Sequence, residues 1–519
     1  MHASFLQSHK WGKTMPAVML DIFSTAVLLV TLSPSNLPAQ EIDGDFEGEK
    51  TWTDKAGNPH DIKADPKALQ KDGKVRQALN KILTEGKVPD ADDDLFESFA
   101  QCYVRRLTWK ENAATLPTER RELKKQLIRL GKAPAAELHT RLNNLTLQVC
   151  SDVAKDARYP RAVRINCTLM LADLDEREAA PGGPGAVPLP AATSALVDFI
   201  SDDKQPVFIR LEAMIALMRH IHPGLAPAMQ TKISDALLTI IKDPVPEGKR
   251  LDGPVWLRIR ASDLLLAMIE SKLPVDQAVL AESLADLIDD EKLPEWARAV
   301  YAGDLGKLEG KSLPAAQSGP TIRALAGLML AILQASPFMT YEPDEVQPDQ
   351  PPGARQVDKK DPKKDAKDEK GGKKDEKKDE KKDEKEDEKN APAAAAAPLS
   401  PTAQKLLSEE MLWQLARIRR ALYGKDAPSG KDHGPDERLG LHSAASDADK
   451  AIAAKVVSDI DKSVKALTEV PDKLDKLADT LQTANENLED LLSGPSETTE
   501  TATTDKPDAA QPAEKVAGR

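Results

Sequence analysis

Four times the chain writes Pro-x-x-x-Arg, at Pro160 and Arg164, Pro206 and Arg210, Pro254 and Arg258, and Pro294 and Arg298; Pro320 and Arg323 form a shortened fifth copy. Successive arginines are 46, 48, 40 and 25 residues apart, so the first four copies share a period and the last is truncated. The match extends past the motif. Three residues after each Arg stand Cys167, Ala213, Ala261, Tyr301 and Ala326, and seven after it Leu171, Leu217, Leu265, Leu305 and Leu330. Positions +3 and +7 share one face of a helix, so each copy offers the same apolar stripe to a neighbour. Proline in the first helical turn costs no hydrogen bond, so each Pro marks a helix start.

A second amphipathic helix precedes each copy, clearest in Leu138, Leu142, Leu145, Val149 and Val153 and again in Leu280, Leu284, Leu287 and Ile288. The repeating unit is therefore helix, turn, Pro-started helix. An Asp lies eight residues before the Arg in three units, at Asp156, Asp202 and Asp290. On these residues the region 136–340 resembles the HEAT-repeat α-solenoids, whose units of about 40–47 residues are helix pairs. The resemblance implies a ladder between units, made by Asp156, Asp202, Asp290, Arg164, Arg210, Arg258 and Arg298. It also implies an interaction scaffold rather than an enzyme, as a class expectation. The chain departs from the pattern at the insert from Pro181 to Gly185, at the Asp missing from the third unit, and in the short fifth unit.

Composition agrees with an all-α fold. Only 6 Trp, 5 Tyr and 8 Phe occur in 519 residues, which disfavours sheets. The formal charge of −13 makes a phosphate-backbone binder a poor candidate. Three cysteines are too few for a disulfide scaffold or a Cys-rich zinc module. Cys150 and Cys167 fall on the two helices of the first unit, where a disulfide and a pair of buried thiols are both open.

Residues 1–39 carry Lys10 and Lys13, an apolar run from Ile22 to Leu32, and Ala39. This order predicts an export signal cleaved after Ala39, with an uncleaved membrane anchor as the alternative, and hence a periplasmic, cell-envelope or secreted protein. Residues 40–64 read as a disordered acidic segment and 65–135 as an N-terminal helical region. From 341 to 400 the chain becomes a linker: residues 358–389 hold 14 Lys and 14 acidic side chains and no apolar group larger than Ala. An amphipathic helix follows at 401–424. In 443–494, Ile460, Leu467, Leu474, Leu481 and Leu488 repeat every seven residues, the pattern of a helical hairpin or an intermolecular coiled coil. Residues 495–519 form a coreless tail.

No G-x-S-x-G elbow, P-loop, dinucleotide fingerprint or H-E-x-x-H is present, so no catalytic residue and no cofactor is expected. Asp43, Asp45, Glu47, Gly48 and Asp54 fall at positions 1, 3, 5, 6 and 12 of an EF-hand-like loop, a weak calcium candidate because Lys50 breaks the pattern and Asp54 is short. Asp90, Asp92, Asp93 and Asp94, ahead of Leu95, Phe96 and Phe99, read as helix-capping charges. His220 and His222 could share a metal only if a helix ends between them. Glu212, Arg260 and Val300 share position +2 after the repeat Arg and are expected to form a variable outward face. The reading is an exported, non-enzymatic scaffold that binds another protein through that face, with possible homo-oligomerisation through 443–494. A self-associating envelope protein is the alternative, and an enzyme hidden in 65–135 comes third.

Overall fold

The computed structural model describes residues 50–53, 59–62, 73–87, 93–132, 136–179, 182–244, 252–308, 312–340, 400–424, 440–469 and 474–493. The expected leader, the positions Asp43, Asp45, Glu47, Asp54, Asp90 and Asp92, the charged linker and the C-terminal tail lie outside them. Among the described residues the fold is all-α, with fifteen α-helices and two small two-stranded sheets. The chain divides into two compact units, residues 1–196 and 197–519. The expected repeat region 136–340 is therefore split between them.

The first unit opens with β1 (Thr51–Thr53) and β2 (Pro59–Asp61), paired antiparallel with Trp52 opposite His60. This corrects the expectation of disorder throughout 40–64. Trp52 and Ile62 supply enough apolar surface to seat the hairpin, and both are buried with Cys102 and Trp109. Then come α1 (Gly73–Glu85), α2 (Asp93–Arg105), α3 (Leu116–Leu130), α4 (Ala136–Lys155) and α5 (Arg161–Ala172). Asp93 and Asp94 do stand in the first turn of α2, where negative charge complements the helix dipole. Helix α4 packs on α2, α3 and α5. After α5 a short sheet forms from β3 (Asp175–Arg177) and β4 (Val187–Pro188), which flank the glycine-rich insert. Helix α6 (Pro190–Ser201) carries the division between units.

The second unit continues through α7 (Val207–Met218), α8 (Pro227–Lys242), α9 (Asp252–Glu270), α10 (Gln277–Asp289), α11 (Glu295–Leu305) and α12 (Ala315–Gln334). After the linker follow α13 (Pro401–Tyr423), α14 (Asp447–Thr468) and α15 (Leu474–Ser493). Two rows of alternate helices result. One runs α8, α10, α12; the other runs α7, α9, α11, α13, each helix packing on the next in its row. Helix α9, touched by α7, α8 and α11, buries residues on most of its faces for that reason. The stripe read from sequence is interior: Ala213, Leu217, Ala261, Leu265 and Tyr301 are all fully buried.

The fifth copy departs from expectation. Pro314, not Pro320, precedes α12, and Pro320 lies inside the helix. Helix α12 sits in the row of first helices, so Leu330 is only half-buried and Arg323 is exposed, donating to Asp449 Oδ1 at 3.3 Å. The place beside α11 is taken by α13, from beyond the linker. The expected separate C-terminal module is thus packed onto the array. The seven-residue seam of α14 and α15 does not face outward either: Ile460, Leu467, Leu481 and Leu488 are buried against this chain's own helices, α12 and α13 among them.

Two glycines allow α13 to approach. A Cβ at Gly303 would lie 2.7 Å from Arg417 Nη1, and one at Gly306 would lie 2.5 Å from the carbonyl of Arg420. The pairing of 303 with 417 and 306 with 420 also shows that α11 and α13 run parallel.

Candidate functional site

The repeated residues build a turn. In three units an Asp ends the first helix. Its side chain accepts from the backbone N–H two residues on, with Asp156 Oδ1 to Arg158 N at 2.9 Å, Asp202 Oδ1 to Lys204 N at 3.0 Å and Asp290 Oδ1 to Lys292 N at 3.0 Å. The Asp carbonyl accepts from the N–H three residues on, at Tyr159, Gln205 and Leu293. Pro160, Pro206 and Pro294 then cap the second helix in extended conformation, and their carbonyls accept from the N–H of Arg164, Arg210 and Arg298. The Arg side chain reaches back across the turn. Arg164 Nε donates to Ala154 O at 3.0 Å, Arg210 Nε to Ile200 O at 2.9 Å and Arg298 Nε to Ile288 O at 2.6 Å. Each acceptor is a last-turn carbonyl without an intrahelical partner, so the guanidinium closes the C-terminus of the first helix.

The residues predicted as a ladder between units therefore bond within units. Burial pushes Arg210 and Arg258 below the ordinary guanidinium range, and Asp243 near Arg210 and Asp290 near Arg258 oppose that shift. In the third unit Asp243 follows the first helix, fifteen residues before the Arg, and its carbonyl accepts from Arg258. A basic residue two after the Asp, at Arg158, Lys204 and Lys292, completes the repeat as Asp-x-Arg/Lys-x-Pro-x-x-x-Arg and was overlooked in the sequence.

Cys150 and Cys167 are brought together as buried thiols rather than a disulfide. Their mutual hydrogen bond, then burial, push the Cys150 thiol well above its ordinary range, which keeps it protonated and slow to react. His220 is buried, while half-buried His222 accepts from Gly224 N at 3.1 Å and so shapes a turn. Among the described residues no group of three or more His, Cys, Asp or Glu side chains is arranged to hold a metal ion. Nor is any described helix long and apolar enough to cross a membrane.

Compared with protein-family models, with curated proteins and with solved structures, the chain finds no match. Its chemistry is therefore read from its own side chains.

Position +2 is not an open face. Val300 is 7% exposed, Glu212 is half-buried, and Arg260 Nη1 donates to Asp263 Oδ2 at 3.0 Å. Arg260 belongs to a charged seam between α9 and α11. There Asp304, 1% exposed, accepts from Ser262 Oγ at 2.7 Å and from Lys307 Nζ at 2.8 Å. Burial first and the charge of Asp304 second push the Asp263 carboxyl up to about 6, against the pull of Arg260 and Lys307. In the range between the unfolded value of 3.8 and about 6 the folded chain holds a proton that the unfolded chain has lost, so this group's contribution falls as pH rises. Asp263→Asn should accordingly be more stable than the parent above pH 6, by an order of 1–3 kcal/mol at about 1.4 kcal/mol per unit. Urea melts at about pH 4 and pH 7.5 check this, with the advantage expected to vanish at the acid end.

The residue two before the repeat Arg was also overlooked. It is Phe208 in α7, Trp256 in α9 and Trp296 in α11, each half-buried. The Trp256 and Trp296 rings touch, with centroids 5.4 Å apart and planes tilted by 34°. The visible signal was the aromatic recurring at a fixed place in a chain poor in aromatics.

The first unit holds a buried polar cluster. Lys124 Nζ donates to Asp173 O at 2.7 Å, Asp175 Oδ2 at 2.6 Å and Glu178 Oε1 at 2.9 Å. His139 Nε2 lies 3.4 Å from Glu178 Oε1, and Asn143 Nδ2 donates to Asp175 O at 2.8 Å. Types suited to acid–base chemistry meet here, but they close on one another inside the protein and tie the β3 segment to α3 and α4. A cavity of about 290 Å³ opens elsewhere in this unit, lined by Gln101, Arg105, Gln148, Asp152, Asp156 and Tyr159 among others. Arg105, Arg158 and Asp156 are engaged with the wall: Arg105 Nε donates to Gln101 Oε1 at 2.7 Å and Arg158 Nη2 to Asp156 Oδ2 at 2.6 Å.

Proposed function

We propose that this chain is an exported, non-enzymatic scaffold, a HEAT-like α-solenoid that binds another protein along its row of second helices. The observation that carries the reading is the parallel stacking of α7, α9 and α11, whose N-terminal ends lie along one edge. Stacked helix pairs bury their facing stripes and leave an extended surface, which is the usual use of such arrays. Export rests on the pattern of residues 1–39. The self-association reading is weakened by the burial of Ile460, Leu467, Leu481 and Leu488 within the chain.

The test is photo-cross-linking in the producing cells. A photoreactive residue is placed at Val207 or Glu295 on the common edge, or at exposed Asp235 in α8 as a control. Adducts with one heterologous protein, concentrated at 207 and 295, are expected. Adducts equally abundant at 235, or adducts only between copies of this chain, would overturn the reading.

A further inference from the structure

A cationic face runs along α3 in the first unit. Residues 105–172 hold 14 Lys and Arg against 6 Asp and Glu, although the whole chain stands at −13. On α3, Arg121, Lys125 and Arg129 follow one another at four-residue intervals and so share one side of the helix, and Lys132 lies just past its end. All four are exposed, and Ile128 in the same stripe is 40% exposed. Most nearby acids are engaged elsewhere. Lys50 Nζ donates to Glu111 Oε1 at 2.7 Å and Arg106 Nη2 to Glu119 Oε1 at 2.9 Å, while Asp173, Asp175 and Glu178 pair with Arg120 and Lys124 on the inner flank. On the face itself Lys125 pairs with Glu122 at 2.6 Å, and Arg121 donates to Pro117 O and Thr118 Oγ1. No described carboxylate pairs with Arg129 or Lys132. Counting Glu137 at the start of α4 as well as Glu122, four cations stand against two carboxylates.

We propose that this face is covered by the chain's own residues 41–49, laid along α3 as an extended acidic strap. Charge points to that segment, because Glu41, Asp43, Asp45, Glu47 and Glu49 are its only charged residues. Spacing agrees. Alternate residues of an extended chain point to one side about 6.6 Å apart, and residues four apart on a helix are separated by about 6 Å. The acidic row and the basic row therefore keep step over the length of the helix, within the reach of Lys and Arg side chains. The anchor agrees too. Lys50, where the described chain begins, is held at the start of α3: it bonds Glu111, five residues before the helix, its carbonyl accepts from Ile62 N at 2.8 Å, and Trp52 is buried with Trp109. From that point nine extended residues reach about 30 Å, and the 15 residues of α3 span about 22 Å. A second copy's segment would match the same charges but would lose translational freedom that the tethered segment does not. The strap is retained whether or not the chain is cut after Ala39, and it withholds the face from other anions.

The experiment uses the full chain in dilute solution and a carbodiimide, which joins carboxylates directly to lysine amines, with the products read by peptide mass spectrometry. Links from Asp43, Asp45 or Glu47 to Lys125 or Lys132 are expected within the monomer. A second measurement follows the rate at which an acetylating reagent labels the same lysines. The triple variant Asp43→Asn, Asp45→Asn, Glu47→Gln should label at Lys125 and Lys132 about threefold or more faster than the parent, the scale set by a few exposed ion pairs. Exposed Lys204 and Lys292 in the second unit should label at unchanged rates. In about 1 M salt, which screens charges beyond about 3 Å, the parent should label as fast as the variant. Links found only in dimers would give the face to a second copy and overturn the proposal. So would the absence of these links, or equal labelling of parent and variant at low salt.

Discussion

Gly306→Val should unseat α13 and, with it, the cover over the end of the array. The backbone at Gly306 has φ −69°, which any residue adopts, so the variant tests packing and not local conformation. A side chain there would meet the carbonyl carbon and oxygen of Arg420 at 2.5 Å and the nitrogen of Ala421 at 2.7 Å. Those are backbone atoms of a helix and cannot turn aside. Overpacking of this kind costs about 1–3 kcal/mol for one added group and more where backbones must separate. Hydrogen exchange should accelerate across residues 401–423 well before α9 and α10 are affected, because α13 is lost first. Gly327→Ala supplies the contrast. Nothing lies within 4 Å of its Cβ position, so this change in α12 should stabilise by about 0.5–1 kcal/mol, the usual gain of Ala over Gly in a helix.

Lys124→Met should be the most damaging single change in the first unit. Its ammonium stands between Asp175 and Glu178, whose side chains are 1% and 6% exposed. Removing the cation leaves two carboxylates buried side by side, and breaking a buried pair from one end costs about 3–5 kcal/mol. The triple variant with Asp175→Asn and Glu178→Gln should recover much of this, since no uncompensated charge remains. Thermal melts of the three constituent combinations measure the coupling, and additive losses would show that the cluster does not act as a unit.

The helical repeat was legible because its punctuation is chemical: Pro starts a helix, Asp closes a turn, and the apolar stripe falls at +3 and +7. The same logic misled at Pro320, where the helix runs through the proline and the cap stands six residues earlier at Pro314. The inward aim of Arg164, Arg210 and Arg298 was not legible, since a motif shows that a cation recurs and not which carbonyl it meets. Nor was the partner of α14 and α15. A seven-residue apolar spacing specifies that a face must be covered, and it is silent on whether the cover comes from another chain or from α12 and α13. The clue lay elsewhere, in Gly303 and Gly306 on one helix face, the mark of a close backbone approach. The strands around Trp52 are three residues each, too short for any period to reveal.

Because α13 completes a row that α11 leaves open, the 59 residues from 341 to 399 are an interruption inside the array and not an appendix to it. Bringing α12 and α13 together across that stretch, instead of across a turn of about four residues, costs roughly 2 kcal/mol of chain entropy, and doubling the stretch again adds only about 0.6 kcal/mol. The Lys-Lys-Asp-Glu repeats from 373 to 384 can therefore gain or lose copies with little effect on the packed helices. A truncation anywhere before 401 is another matter, since it strips the array of its last helix and bares the apolar flanks of α11 and α12. Length in this tract is nearly free to drift, whereas reading through to its far side is obligatory.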